Sequence, residues 1–309
     1  MKETTLDSRA ETKDELRYPE HPITVIVAYK EGGGTDKIAR AICSVAEKYI
    51  GTELIIKNIP GADGELGYMQ ICTANPDGYT IGFINLPTFV SIPQGRKTLY
   101  SDSDIEPVMN VVYDPSVLAV RSDSRLVDFQ AFIDWARENP FALTVGNNGY
   151  GASNHVAAAE LAKGAHIDVQ HIPFGGSADM IRALEEGYVD SMIAKQSEIS
   201  ELEKQGKVRL LCSFTETRLE PFPDTPTLRE LGIDIEFGSA RALAAPKDTP
   251  HEIIEYLHQA FRKTLEDDEM KRLSKELDIP LMYIGPDELA RYIERWREYA
   301  ENTVPTLPL

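Results

Sequence analysis

The sequence predicts an α/β protein of two similar lobes facing a shared crevice. Three observations lead there. A chain of 309 residues is long enough for two domains of ordinary size. The first hundred residues read as strand, helix, strand, helix, strand, the pattern of a sheet wound in one direction. The unit of strand, glycine-rich loop and helix start occurs near residue 33 and again near residue 150. Loops at the carboxyl ends of such strands meet where open α/β sheets bind their ligands.

The first strand starts after Pro22. Ile23, Val25 and Val27 alternate with Thr24 and Ile26, as in a parallel strand buried on both faces. Beyond "EGGGTD", residues Ile38, Ala39, Ile42, Val45, Ala46 and Tyr49 recur at helical spacing, and Gly51 stops the helix. "ELIIKNI" is the next strand, "GELGYMQICTA" the next helix, closed by the turn "NPDGY", and "TIGFIN" the third strand. In the middle, "DPSVLAVRSDS" reads as a strand and "VDFQAFIDWARENP" as a helix ended by Asn-Pro. "ALTVGNNGYGASNHVAAAELAKGAH" then repeats the opening in kind. "IDVQHIPF" is a strand, "GGSADMIRALEEGY" a loop and helix, and "VDSMIAKQ" and "KVRLLCSFT" are strands. "RLEPFPDTPTLRELG" reads as a proline-ordered loop with a short helix. "SARALAAPKDTP" leads to the helices "HEIIEYLHQAFRKTLED", "DEMKRLSKELD" and "PDELARYIERWREYAENT".

Composition narrows the function classes. Hydrophobic residues make up 42% and charged residues 27%, values of a soluble globular protein rather than a disordered one. A formal net charge of −18 argues against nucleic acid, which needs clustered Lys and Arg. It does not argue against a small anion, because distant surface charge is screened within roughly 8 Å. Cys43, Cys72 and Cys212 are scattered and odd in number, so they read as buried free thiols. No apolar run approaches the ~20 residues of a membrane helix. The polar start "MKETTLDSRAETKDELRYPE" lacks the apolar region of a signal peptide. Either the protein is cytosolic or a leader has been removed. Residues 1–19 then read as a flexible tether, of the kind that follows a lipoprotein cleavage site.

The two glycine loops carry the chemistry. Glycines let backbone N–H groups approach a ligand, and the helix that follows adds partial positive charge at its N-terminus. In "EGGGTD" the nucleotide readings fail on detail. Gly34 is followed by Thr35-Asp36 rather than Lys-Ser/Thr, and GGGxxK is not GxGxxG. Asp36 would repel a triphosphate, and its plain role is a charge on the helix dipole worth about 0.3–1 kcal/mol. The loop is thus a cradle for a carboxylate or other anion, or a structural turn. "GNNGYGASNH" offers Gly149, Gly151, Ser153 and Asn154 before a second helix, so the pair suggests a clamp. Catalysis finds little support. The six histidines form no metal pattern and there is no GxSxG elbow. Ser153 and His155 stand two apart at a helix start and fall on different faces. No metal or cofactor is expected.

At this point the chain resembles the Bug/TctC substrate-binding receptors of tripartite tricarboxylate transporters. The family pattern YPxxPIxxIVPxxxGGGTDxxAR stands here as "YPEHPITVIVAYKEGGGTDKIAR". NxPGAGGxxG stands as "NIPGADGELG" and NxGxGxSxH as "NNGYGASNH". "PDGYT", "HIPFGGSADMIRALEEGYVD", "PDTPTLRELG" and "APKDTP" follow the family order, so the likeness runs from about Tyr18 to the last helix. It implies a two-lobed, type II periplasmic-binding-protein (Venus flytrap) fold. Lobe 1 would be 20–121 plus 240–309, and lobe 2 would be 122–239.

The resemblance further implies a ligand carboxylate held by Gly33, Gly34, Thr35 and Asp36 from one loop. Gly149, Ala152, Ser153 and Asn154 are the equivalents in the other. Pro87, Asn148, Gly151, Gly175 and Ser177 complete the candidate set. Departures from the family point to specificity. Ala28 replaces a usual Pro, so Tyr29 and Lys30 sit differently at the rim. Ala240 and Arg241 stand where aromatic residues are common, and Lys195 and Gln196 stand at the pocket floor. Arg241 or Lys195 would meet a second ligand carboxylate of a di- or tricarboxylate, unless Arg241 is solvated or pairs with a protein acid. The expected role is a monomeric periplasmic or cell-surface receptor, lipoprotein-anchored, that hands a small carboxylate to a membrane permease. A carboxylate sensor with the same clamp is the alternative, and a cytosolic enzyme on a similar scaffold is the third.

Overall fold

The computed structural model describes residues 17–308. Most of the expected tether, residues 1–16, lies outside the described residues. Tyr18, inside the expected tether of residues 1–19, is instead buried, and its hydroxyl donates to Gly78 O at 2.7 Å.

The first third follows the expected alternation: β1 (Ile23–Val27), α1 (Gly34–Ile50), β2 (Leu54–Asn58), α2 (Glu65–Cys72), β3 (Thr80–Leu86) and α3 (Thr88–Gly95). β4 (Ile105–Arg121) is a single long strand, followed by α4 (Phe129–Glu138), β5 (Thr144–Asn147) and α5 (Ser153–Ala165). Then come β6 (Gln170–Pro173), α6 (Ser177–Glu185), β7 (Ser191–Lys195), α7 (Gln196–Lys204) and β8 (Val208–Ser213). β9 (Gly238–Pro246), α8 (His251–Glu266), α9 (Asp268–Glu276), β10 (Leu281–Ile284) and α10 (Pro286–Thr303) complete the chain.

The strands run in the order β2-β1-β3-β9-β4-β7-β5-β6, with β8 and β10 also paired to β4. β1 pairs with β2 and β3 in parallel, and β5 does the same with β6 and β7. The sheet is nevertheless mixed, because β9 and β4 insert antiparallel between these two parallel sets. β4 pairs with β9 from Ile105 to Pro115 and with β7 from Ser116 to Val120, so it joins the two lobes. Apolar clusters cover both faces of each part. Val25 and Val27 pack in one cluster while Ile26 and Ala28 pack in another, as the two-face burial of β1 requires. In the second lobe, Leu118 and Val120 face one cluster and Val117 and Ala119 the other. Ala300, Val304 and Leu307, from the end of the chain, pack into the cluster of the second lobe.

Several elements differ from the expectation. "SARALAAP" forms β9 at the centre of the sheet. Its alanines favour helix by intrinsic propensity, and complete burial between β3 and β4 overrides that preference. The strand expected at "DPSVLAVR" begins nine residues earlier, at Ile105. The short helix expected within "RLEPFPDTPTLRELG" is absent, and turns occupy that stretch. The helices α3 and α7 and the strand β10 had no clear periodic signal. Cys43 and Cys212 are buried free thiols, whereas Cys72 is only partly buried.

Candidate functional site

One cavity of about 30 Å³ collects both glycine loops. Its wall includes the first turns of three helices: Gly34 and Thr35 of α1, Ser153 and Asn154 of α5, and Ser177 and Ala178 of α6. The residues just before them, Gly33, Ala152 and Gly176, also line it, and none gives its helix a side-chain cap. The free N–H groups of a helix start point outward along the axis and together carry about half a positive charge. Three such ends converging on one cavity make a seat for an anion. Thr88 Oγ1 accepts the Ser153 N–H at 3.1 Å, tying α3 to the start of α5.

Two glycines are required by space. A Cβ on Gly34 would lie 2.7 Å from Glu198 Cγ and 2.8 Å from its Oε1. Gly149 has a φ of +104°, and a Cβ there would lie 2.1 Å from Asp63 Oδ1. A side chain at Gly34 would displace the buried Glu198 side chain, and one at Gly149 would displace the Asp63 carboxyl and strain a left-handed backbone.

The inner wall carries a buried set of charges. Arg241 stands opposite Asn85 of β3 and Val112 of β4. Its Nη1 lies 2.8 Å from Asp114 Oδ2 and its Nη2 lies 3.5 Å from Glu198 Oε1, with all three side chains buried. Burial pushes the Asp114 carboxyl above its usual range, against the pull of Arg241. Lys195 Nζ donates to Ser116 Oγ at 2.8 Å, and burial pushes this ammonium down to about 8 despite the nearby Glu198 and Asp114. Asp114 and Ser116 are two apart on β4, so both side chains leave the strand on one face.

Glu198 is tied on both oxygens. Oε1 accepts from Ser177 Oγ at 2.6 Å, and Oε2 accepts from the Lys195 N–H at 3.0 Å. Among the described residues, Asn85 Oδ1, Asn148 Oδ1 and Ser239 Oγ are buried in this wall without a hydrogen-bond partner. Lys30 at the rim reaches across to Asp179 at 2.5 Å.

Of the candidate residues, Tyr29, Gly33, Gly34, Thr35, Asn148, Ala152, Ser153, Asn154, Ser177, Lys195 and Arg241 line the cavity. Six others stand outside its wall. Asp36 is buried beneath the loop, where it accepts from Gly32 N at 2.8 Å and from Arg40 Nε at 3.0 Å. Pro87 precedes α3, beside Thr88. Gly149 faces Asp63, the Gly151 carbonyl accepts from Ser91 Oγ at 2.5 Å, and Gly175 stands one residue before the lining Gly176. The Gln196 amide donates to Asp278 O at 3.3 Å, away from the pocket floor.

Arg241 and Lys195 line the cavity as expected, but Arg241 is not a free cation, because two protein acids already face it. Ser153 and His155 form no dyad. Ser153 Oγ donates to Asn154 Oδ1 at 3.3 Å, and His155 Nδ1 accepts the Gly151 N–H at 3.2 Å. Sequence reasoning missed Asn85, Thr88, Gly176, Ala178, Glu198 and Ser239. Two of these had a signal. Ser239 is two before Arg241 and so shares its strand face, and Glu198 is three after Lys195, the spacing of a helix cap.

Comparison with known proteins agrees with this geometry. Residues 38–302 match the family described as "Tripartite tricarboxylate transporter family receptor". The Cupriavidus necator protein "UPF0065 protein in gbd 5'region" is 32% identical over 277 residues, 89% of this chain and 84% of its own. MatC from Rhodopseudomonas palustris, solved with bound malate, overlays with a TM-score of 0.87 at 27% identity. That overlay covers 93% of this chain and 100% of the other. A second R. palustris protein, solved with adipate, gives a TM-score of 0.88 at 26% identity over 94% of this chain and 100% of the other. The chain belongs to the tripartite tricarboxylate transporter receptor family, and it is a two-lobed solute-binding protein rather than an enzyme.

Proposed function

We propose that this chain is an extracytoplasmic receptor that closes its two lobes on a small carboxylate and delivers it to the membrane permease of a tripartite transporter. The observation that carries the reading is the convergence of three helix starts, α1, α5 and α6, none capped by its own N-cap side chain, on one interlobe cavity. Bound malate and adipate in two similar receptors support a carboxylate as ligand. Delivery to a permease places the receptor in the periplasm or at the cell surface. Among the described residues no helix is long and apolar enough to cross a membrane. One chain supplies the whole cavity wall, so a monomer suffices.

We take the lobes to be 20–121 with 240–309, and 122–239. Within lobe 1, Ala300, Val304 and Leu307 pack against the cluster of the second lobe. Arg241 acts within the wall, organising Thr35, Asp114 and Glu198 rather than standing free for a second ligand carboxylate.

A thermal-shift screen tests the reading, using mono-, di- and tricarboxylates, aromatic acids and amino acids. An acid at 100 times its Kd adds about 2.7 kcal/mol. For a chain of this size that is a rise in Tm of about 5–10 °C. At least one acid gives such a shift if the reading holds, and no shift with any of them overturns it.

A further inference from the structure

The polar atoms of the cavity wall bear on which acid it takes, an inference that rests on the carboxylate-receptor reading. The wall offers donors to a carboxylate, but it also presents acceptors that a carboxylate cannot satisfy. Asn85 Oδ1 and Asn148 Oδ1 are buried there without a partner, while their amide nitrogens donate to Thr35 Oγ1 and Ser177 Oγ. Glu198 adds a carboxyl group with two oxygens. Its carboxylate accepts two hydrogen bonds from the protein, and an ionised carboxylate has about four acceptor positions. Asp114 and Glu198 both face the buried Arg241, and Lys195 Nζ donates to Ser116 Oγ. A second ligand carboxylate placed beside Glu198 would bring two carboxylates together.

We propose that Glu198 is a specificity-determining residue: facing the ligand from α7, it selects an acid that also carries a hydrogen-bond donor, a hydroxyl or an ammonium, over one with a second carboxylate. The acid's own carboxylate takes the seat of helix starts. A hydroxyl gives its one hydrogen to Glu198, whereas an ammonium has three N–H groups to share among Glu198 and the amide oxygens of Asn85 and Asn148.

Calorimetric titration of the full chain with matched four-carbon acids tests this: butyrate, 2- and 3-hydroxybutyrate, 2-aminobutyrate and succinate. A hydrogen bond to a charged group sets the expected scale. A hydroxy or amino acid binds the wild type at least about tenfold more tightly than butyrate or succinate. Whichever of the hydroxy and amino arms binds tighter identifies the donor. Glu198→Gln keeps the size and an acceptor oxygen while removing the charge. In that variant succinate gains at least about tenfold relative to the preferred acid. Succinate binding the wild type as tightly as the hydroxy and amino acids overturns the proposal alone, as does an equal change for every acid in Glu198→Gln. If only acids outside this set shift the wild-type Tm, the same comparison is made on that acid with and without its donor. Absence of binding by any acid removes the receptor reading itself.

Discussion

The two glycine loops look alike in sequence but are held in different ways. The first is pinned from within its own lobe by a charge. Asp36, buried under the loop, takes the Gly32 N–H, the Arg40 guanidinium and the Asn58 amide. Burial raises its pKa, but those hydrogen bonds together outweigh burial and hold it below the usual carboxylate range. The second loop is pinned by neutral groups and from across the cleft. Asn147 Oδ1 accepts from Gly149 N at 2.9 Å, His155 Nδ1 accepts from Gly151 N, and Ser91 and Thr88 reach over from α3. The first loop's charged ties thus lie within one lobe, while two of the second loop's ties cross the cleft.

Removing the charge under the first loop has the larger expected effect. Asp36→Ala leaves the Gly32 N–H and the Asn58 amide without their acceptor and Arg40 without its nearest acid. The cost is about 2–4 kcal/mol, discounted from a fully buried pair because Arg40 is half exposed. Urea denaturation measures it, and a loss under 1 kcal/mol would show that the loop holds its shape without the acid.

The second loop has a smaller, pH-dependent weakness. Burial, and then the neighbouring His171, hold the His155 imidazole down to about 4. An unfolded histidine takes up its proton near pH 6.5, so stability is full above that value and falls as pH drops toward 4. The loss amounts to about 2–3 kcal/mol at the acid limit. His155→Asn keeps an acceptor for Gly151 and cannot titrate, so its Tm should fall less steeply between pH 6.5 and 4 than that of the wild type. Equal slopes would remove His155 from the account.

The sequence made the first loop more legible than the rest of the site. Glycine spacing before a helix pointed to Gly33, Gly34 and Thr35, the repeated pattern pointed to Ser153 and Asn154, and Ala152 followed only from the family resemblance. The parallel strands were legible because their apolar runs are short and bounded by turns. β9 was not, since its alanines say helix and only its neighbours make it a strand. Asn85 and Thr88 were invisible because nothing local distinguishes a polar residue at a strand end from one in any loop. The partners of Arg241 were hidden for a different reason. Asp114 and Glu198 are 127 and 43 residues away in sequence, and only the sheet register of β4 and β9 and the packing of α7 bring them together.

The central claim is that three helix starts jointly hold the ligand's carboxylate. Hydrogen exchange at the amides of Gly34–Asp36, Ser153–His155 and Ser177–Asp179, with and without a saturating acid, tests it most directly. The account predicts that all three turns gain protection together when the acid binds. Protection confined to one of them, or gained only outside the cavity wall, would contradict it.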